Sequence, residues 1–90
     1  MSYEVEFTST LFRWQGKGAW TFATVPGEMA PSATEAWGRT PVVATVDGQT
    51  WKTSVWRERS GRTLLAVPKA VRGEKGDGDS VHVRLRFSHL

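Results

Sequence analysis

Residues 42–56 read VVATVDGQTWKTSVW, and the fold turns on this stretch. Val42 to Val46 is apolar apart from Thr45. After Asp47-Gly48, Trp51, Thr53 and Val55 alternate with Lys52, Ser54 and Trp56. A period of two belongs to a strand, whose successive side chains point to opposite faces. Aspartate followed by glycine tolerates the positive φ angles that a two-residue hairpin turn demands. The stretch therefore predicts a hairpin in which Trp51, Thr53 and Val55 face inward and Trp56 faces outward.

The same period extends in both directions. From Glu4 to Arg13, Val5, Phe7, Ser9 and Leu11 share one face, while Glu4, Glu6, Thr8 and Thr10 share the other. Such a strand has one side in the core and one in water. Gly16-Lys17-Gly18 predicts a turn into a second strand, where Trp20, Phe22 and Thr24 alternate with Thr21 and Ala23. The bulk of Trp20 and Phe22, with Trp51, assigns them to the interior, because a small core relies on aromatic volume. Pro26 ends that strand, since proline cannot donate to a ladder. Residues 28–37 have moderate helix propensity and predict a short helix capped by Ser32 or Thr34, with Gly38 as its stop. Thr63 to Val67 reads as a compact buried strand and Pro68 to Arg72 as one helical turn begun by proline. In the final strand Val81, Val83, Leu85 and Phe87 oppose His82, Arg84, Arg86 and Ser88. The sum is an all-β chain, a small six-stranded barrel, closed or nearly closed, with one or two short helical segments. Closure is expected because it removes exposed edges.

Ninety residues carrying +3 predict one domain spanning 1–90. With no cysteine, a disulfide framework and a Cys-ligated zinc site are both excluded. Absent cysteines, an N-terminus without basic and apolar export regions, and no apolar run near the ~18 residues of a membrane span together predict a cytoplasmic, non-membrane chain.

Several motifs stand in a fixed order. They are Gly18-x-Trp20 before Val25-Pro26, then Asp47-Gly48 with Trp51-x-Thr53-Ser54, then Leu65-x-Val67-Pro68-Lys69-x-Val71-Arg72, and Gly78-Asp79-x-Val81-x-Val83-x-Leu85. In this combination the chain resembles, from about Phe7 to Phe87, a bacterial family catalogued as domain of unknown function 1905. The resemblance implies a six-stranded β-barrel with a helical excursion after the second strand. It also implies domains that stand alone or are fused to one associated with bacteriocin protection. No activity is established for the family, so no functional residue carries over from it. The chain differs from the usual family pattern in a short loop from Gly73 to Gly78 and in its C-terminal Arg86-Phe87-Ser88-His89.

The residues supply little for catalysis. Nucleophilic chemistry needs a nucleophile, a base within reach and an orienting group. Here there is no cysteine, no serine in a G-x-S-x-G elbow, and only His82 and His89. No catalytic residue and no cofactor are therefore expected. Glu74, Asp77 and Asp79 stand in a glycine-rich stretch, yet lack the calcium-loop spacing, so the stretch predicts a turn and no metal site.

Charge is more informative. Seven basic residues against two acidic ones lie between Lys52 and Lys75, whereas residues 1–38 hold two basic and four acidic. This local basicity beside outward tryptophans predicts a non-catalytic binding module for an anionic ligand. Its ligand-binding set is Trp14, Trp56, Arg57, Arg59, Arg62, Lys69 and Arg72. Arginines offer bidentate contacts to phosphate or carboxylate, and tryptophans offer flat apolar faces. The alternatives are a weak nucleic-acid binder, which would use the same pairing of cations and stacked aromatics, and a protein-interaction or accessory domain. An enzyme with a concealed carboxylate or serine site is the remaining reading.

Overall fold

A computed structural model describes residues 3–15, 18, 20–31 and 38–87. The alternating stretches form six strands: β1 (Tyr3–Arg13), β2 (Thr21–Val25), β3 (Arg39–Val46), β4 (Gln49–Arg57), β5 (Thr63–Ala66) and β6 (Ser80–Phe87). All neighbours are antiparallel and close into a barrel in the order β1-β2-β5-β4-β3-β6. Two hairpins, β1–β2 and β3–β4, are thus joined through β5 and sealed by β6. The expected Asp47-Gly48 turn is present, with φ of 46° and 87° at its two residues. Both positive values match the mirror-image turn whose twist suits a hairpin.

Because β5 and β4 lie between β2 and β3, the chain leaving β2 at residues 26–31 begins a crossing of one end of the barrel. Residues 67–79 cross the other end for the same reason. The first crossing begins with a single 3-10 turn, Gly27–Met29, and returns to extended backbone at Ala30. The helix expected over 28–37 lies mostly outside the described residues. The second crossing carries α1 (Lys69–Arg72), one turn long, with Pro68 as the residue preceding it. Its following loop is tied down by backbone bonds between Leu11 and both Gly78 and Asp79, each 2.8 Å.

The interior is aliphatic. Leu11, Val46, Val55, Leu65, Val81, Val83 and Leu85 are buried, with Phe7 and Phe87 the aromatic members and Ala23 and Ala44 fully enclosed. Each fully buried leucine or valine contributes about 1.5–3 kcal/mol relative to exposure. Six strands leave a lumen narrower than that of the eight-stranded barrels which side chains just fill. Alanines and valines fit that width; indoles do not.

This corrects one expectation. Thr21, Ala23 and Val25 face the interior, so Phe22 is turned to the outer side and Trp20 is 57% exposed. The cause is register: Leu11, an inward residue, pairs with Ala23. Trp51 does pack against the core, half-buried, as its alternation with Lys52 suggests.

Candidate functional site

The outer face of β1, β2, β5 and β4 carries the aromatic residues that the lumen cannot take. Phe12 pairs with Phe22, and Phe22 with Ala66; Thr24 pairs with Leu64, and Leu64 with Trp56. Paired residues share a face of a sheet. Phe22, Leu64, Ala66 and Trp56 consequently form one outward patch. The β1–β2 connection adds Trp14 and Trp20, whose backbones are joined by a 2.7 Å bond from Trp14 N–H to the Trp20 carbonyl. Trp14 meets Phe22 edge-on at 6.1 Å and 82°, Trp20 lies nearly parallel to Phe22 at 6.5 Å, and Phe12 lies 5.8 Å away. These separations are those of attractive aromatic pairs.

Gly18 explains the first motif. Its φ is +92°, and a Cβ there would stand 2.6 Å from Trp20 Nε1 and 2.8 Å from Cδ1. Glycine supplies the backbone angle and leaves room for the indole to lie across the chain.

Together these side chains enclose an open groove of about 370 Å³, with Phe22, Leu64 and Ala66 between Trp14 and Trp20 on one side and Trp56 and Glu58 on the other. The tryptophans remain 41% (Trp14), 57% (Trp20) and 43% (Trp56) exposed. A site of this volume suits one small flat molecule.

Among the described residues, Glu58 is the one ionisable residue lining the groove. Arg62 Nε donates to its Oε2 at 2.8 Å and Arg62 Nη2 to its Oε1 at 3.3 Å; Ser60 Oγ reaches Oε2 at 3.2 Å. The bond from Arg62 holds the Glu58 carboxyl below its ordinary range and raises the Arg62 guanidinium above its own. Arg62 also lies over the Phe12 ring, 4.9 Å from its centroid, a cation–π contact that fixes it at the groove's margin.

The seven residues singled out by sequence do not form one cluster. Trp14 and Trp56 line the groove together, and Arg62 borders it through Glu58. Arg59 is exposed in the same 58–62 turn. Arg57 donates to the Pro31 carbonyl and ties the first crossing to β4. Arg72 donates to the carbonyls of Val67 (3.2 Å) and Lys75 (3.0 Å), clasping the second crossing. Lys69 is exposed at the start of α1. Sequence reasoning missed Trp20, Phe22, Leu64 and Glu58. The available signal was the alternation of the compact residues Thr21, Ala23 and Val25, outweighed by a preference for burying bulk.

Elsewhere, charged groups pair across the surface. His82 Nε2 lies 2.8 Å from Glu6 Oε2, and Arg84 Nε donates to Glu6 Oε1 at 3.4 Å. Lys75 Nζ bonds Asp47 Oδ2 at 2.8 Å and the Ser80 carbonyl at 2.7 Å. The acidic loop acts as a turn: Asp77 accepts from Arg13 N–H and Asp79 from Gly76 N–H, each at 2.8 Å. Among the described residues no three acidic or histidine groups converge as a metal site, and no helix is long and apolar enough to cross a membrane.

A family model described as Domain of unknown function (DUF1905) matches residues 7–85. No curated protein matches the chain.

Proposed function

The chain belongs to the DUF1905 family, which is defined without an activity, and from the groove itself we propose that this barrel is a non-catalytic binding domain for a flat heteroaromatic ring carrying an anionic tail. One observation carries the reading: three tryptophans, 41–57% exposed, gather around a single groove on a barrel whose interior is filled by aliphatic residues. Stacking a ring on such faces is worth about 1–3 kcal/mol per ring. The anionic tail goes to the margin, where Arg59 is exposed in the adjoining turn; Arg62 is already committed to Glu58 and the Phe12 ring. Arg57 and Arg72, engaged with backbone carbonyls, serve the fold in this reading.

Binding is favoured over catalysis because, among the described residues, Glu58 is the groove's one ionisable side chain and both its oxygens already accept from Arg62, with no second acid or base beside it. His82 stands on β6, paired with Glu6.

The test is a titration followed by tryptophan fluorescence and calorimetry, using adenosine monophosphate, adenosine and ribose 5-phosphate at low salt. Adenosine monophosphate should bind tightest, adenosine more weakly and ribose 5-phosphate least. Trp56→Ala, with an unchanged circular dichroism spectrum, should weaken the nucleotide by about ten- to a hundredfold. Ribose 5-phosphate binding as well as the nucleotide would overturn the ring, and undiminished binding in Trp56→Ala would overturn the site. Failure of all three ligands to bind would leave the groove to a protein partner instead.

A further inference from the structure

Resting on that reading, we infer that Glu58 selects the ring: its Oε1 accepts one N–H from the ring's edge, so the ligand class is an amino-bearing heterocycle. The bonding already present at this carboxylate leads there. Oε2 accepts two hydrogen bonds, from Arg62 Nε at 2.8 Å and Ser60 Oγ at 3.2 Å, which fill its two lone-pair directions. Among the described residues Oε1 accepts from Arg62 Nη2 alone, at 3.3 Å, which leaves one lone-pair direction for a further donor. Among the described residues Glu58 is the groove's one carboxylate, set among apolar and indole neighbours. A ring stacked there meets an acceptor at that margin.

The acceptor is also positioned in advance. Arg62 is held from two sides, by Glu58 and by the Phe12 ring at 4.9 Å, and so holds Glu58 in turn. A fixed acceptor spends little ordering entropy when a donor arrives. A charged acceptor also discriminates strongly, because a ring lacking the donor strips water from the carboxylate and returns nothing. The same charge repels a phosphate from the groove's interior, so ring and tail enter with one polarity: amino edge towards Glu58, anion outward.

The experiment compares the 5′-monophosphates of adenosine, 2-aminopurine riboside and unsubstituted purine riboside, which share tail and ring size and differ by one amino group. Wild-type protein should bind at least one amino isomer about tenfold or more tightly than the unsubstituted ring. Glu58→Ala should bring that ratio close to one without weakening the unsubstituted ring. Arg62→Ala breaks the same ion pair but leaves the carboxylate, now free to turn, so it should lower the preference without abolishing it; this separates recognition from mere loss of the pair. Thermal melts establish that both variants fold. An unchanged ratio in Glu58→Ala, an equal loss in Arg62→Ala, or rings bound without preference by the wild type would each overturn the inference while leaving ring binding intact. Absence of binding by all three would remove the underlying reading and the inference with it.

Discussion

Replacing Gly18 by alanine tests whether the groove wall is built as described. Two costs arise at this position. A φ of +92° is strained for any L-residue, at about 1–2 kcal/mol. The added Cβ would also stand 2.6 Å from Trp20 Nε1, well inside contact distance, so the indole must turn away and give up its near-parallel packing on Phe22. That packing is worth about 0.5–1.5 kcal/mol. The sum is about 2–3 kcal/mol, which for a domain of this size lowers the Tm by roughly 10–20 °C. Gly48 is the internal control. Its φ is +87°, and a Cβ there meets nothing within 4 Å, so Gly48→Ala should cost the backbone component alone. Urea denaturation of Gly18→Ala, Gly48→Ala, Trp20→Ala and the Gly18→Ala/Trp20→Ala double variant completes the cycle. With the indole gone, the Gly18 substitution should cost no more than the Gly48 one. If it costs the same with and without Trp20, the glycine does not make room for that wall, and the account of the Gly18-x-Trp20 motif is wrong.

Two further outcomes follow from polar groups. Among the described residues the buried hydroxyls of Thr40 and Thr63 have no hydrogen-bond partner, so Thr40→Val and Thr63→Val should be neutral or stabilising by about 1–2 kcal/mol in urea denaturation; a loss above about 1 kcal/mol in either would show that its hydroxyl is satisfied. Asp47 is held below its ordinary value near 3.8 by its bond from Lys75 and then by the His82 N–H, as Glu58 is held below 4.5 by Arg62. Both pKa values are lowered by folding, so both groups stabilise the protein above their unfolded-state values, and that support is lost as pH falls through the lower folded ones. The double variant Asp47→Asn/Glu58→Gln should therefore trail the wild type at pH 6 and match it near pH 2. A deficit that persists unchanged at pH 2 would contradict the linkage.

The barrel was legible because its register is written redundantly. Asp47-Gly48 fixes β3 against β4, and unbroken alternation from Val81 to Phe87 leaves one choice of face for β6. The five residues of β2 carry no such redundancy. Trp20-x-Phe22-x-Thr24 and Thr21-x-Ala23-x-Val25 both alternate, and which set goes inside depends on pairing with Leu11, a contact twelve residues away. Hydrophobic bulk favoured the wrong set. The site was legible only in part for the same reason. Trp56 was placed outward by its own hairpin, but its companions Trp20 and Phe22 were hidden by the β2 error. Pairing of Arg62 with Glu58, four residues apart in a turn, has no periodicity that would announce it.

The closed barrel itself constrains where recognition can occur. Its six strands pair all the way round, so the described residues offer no edge for a partner strand to extend. Its lumen is filled by valine, leucine and alanine with Phe7 and Phe87, so no ligand fits inside as it would in a wider barrel. What is left is the outer surface, and there the chain divides its resources unequally. On β6, β1 and β3 the outward side chains include Glu4, Glu6, Arg84, Arg86 and Thr45, which face one another across strands and keep that side solvated. On β2, β5 and β4 they are Phe22, Leu64, Ala66 and Trp56, extended by Trp14 and Trp20. An apolar outer face gains nothing for a core that is already complete. Its three exposed indoles add to the area left in contact with water, at about 25 cal/mol for each apolar Å². Such a face persists only because the buried interior carries most of the fold, and Leu64, 4% exposed, is where groove and barrel share a side chain.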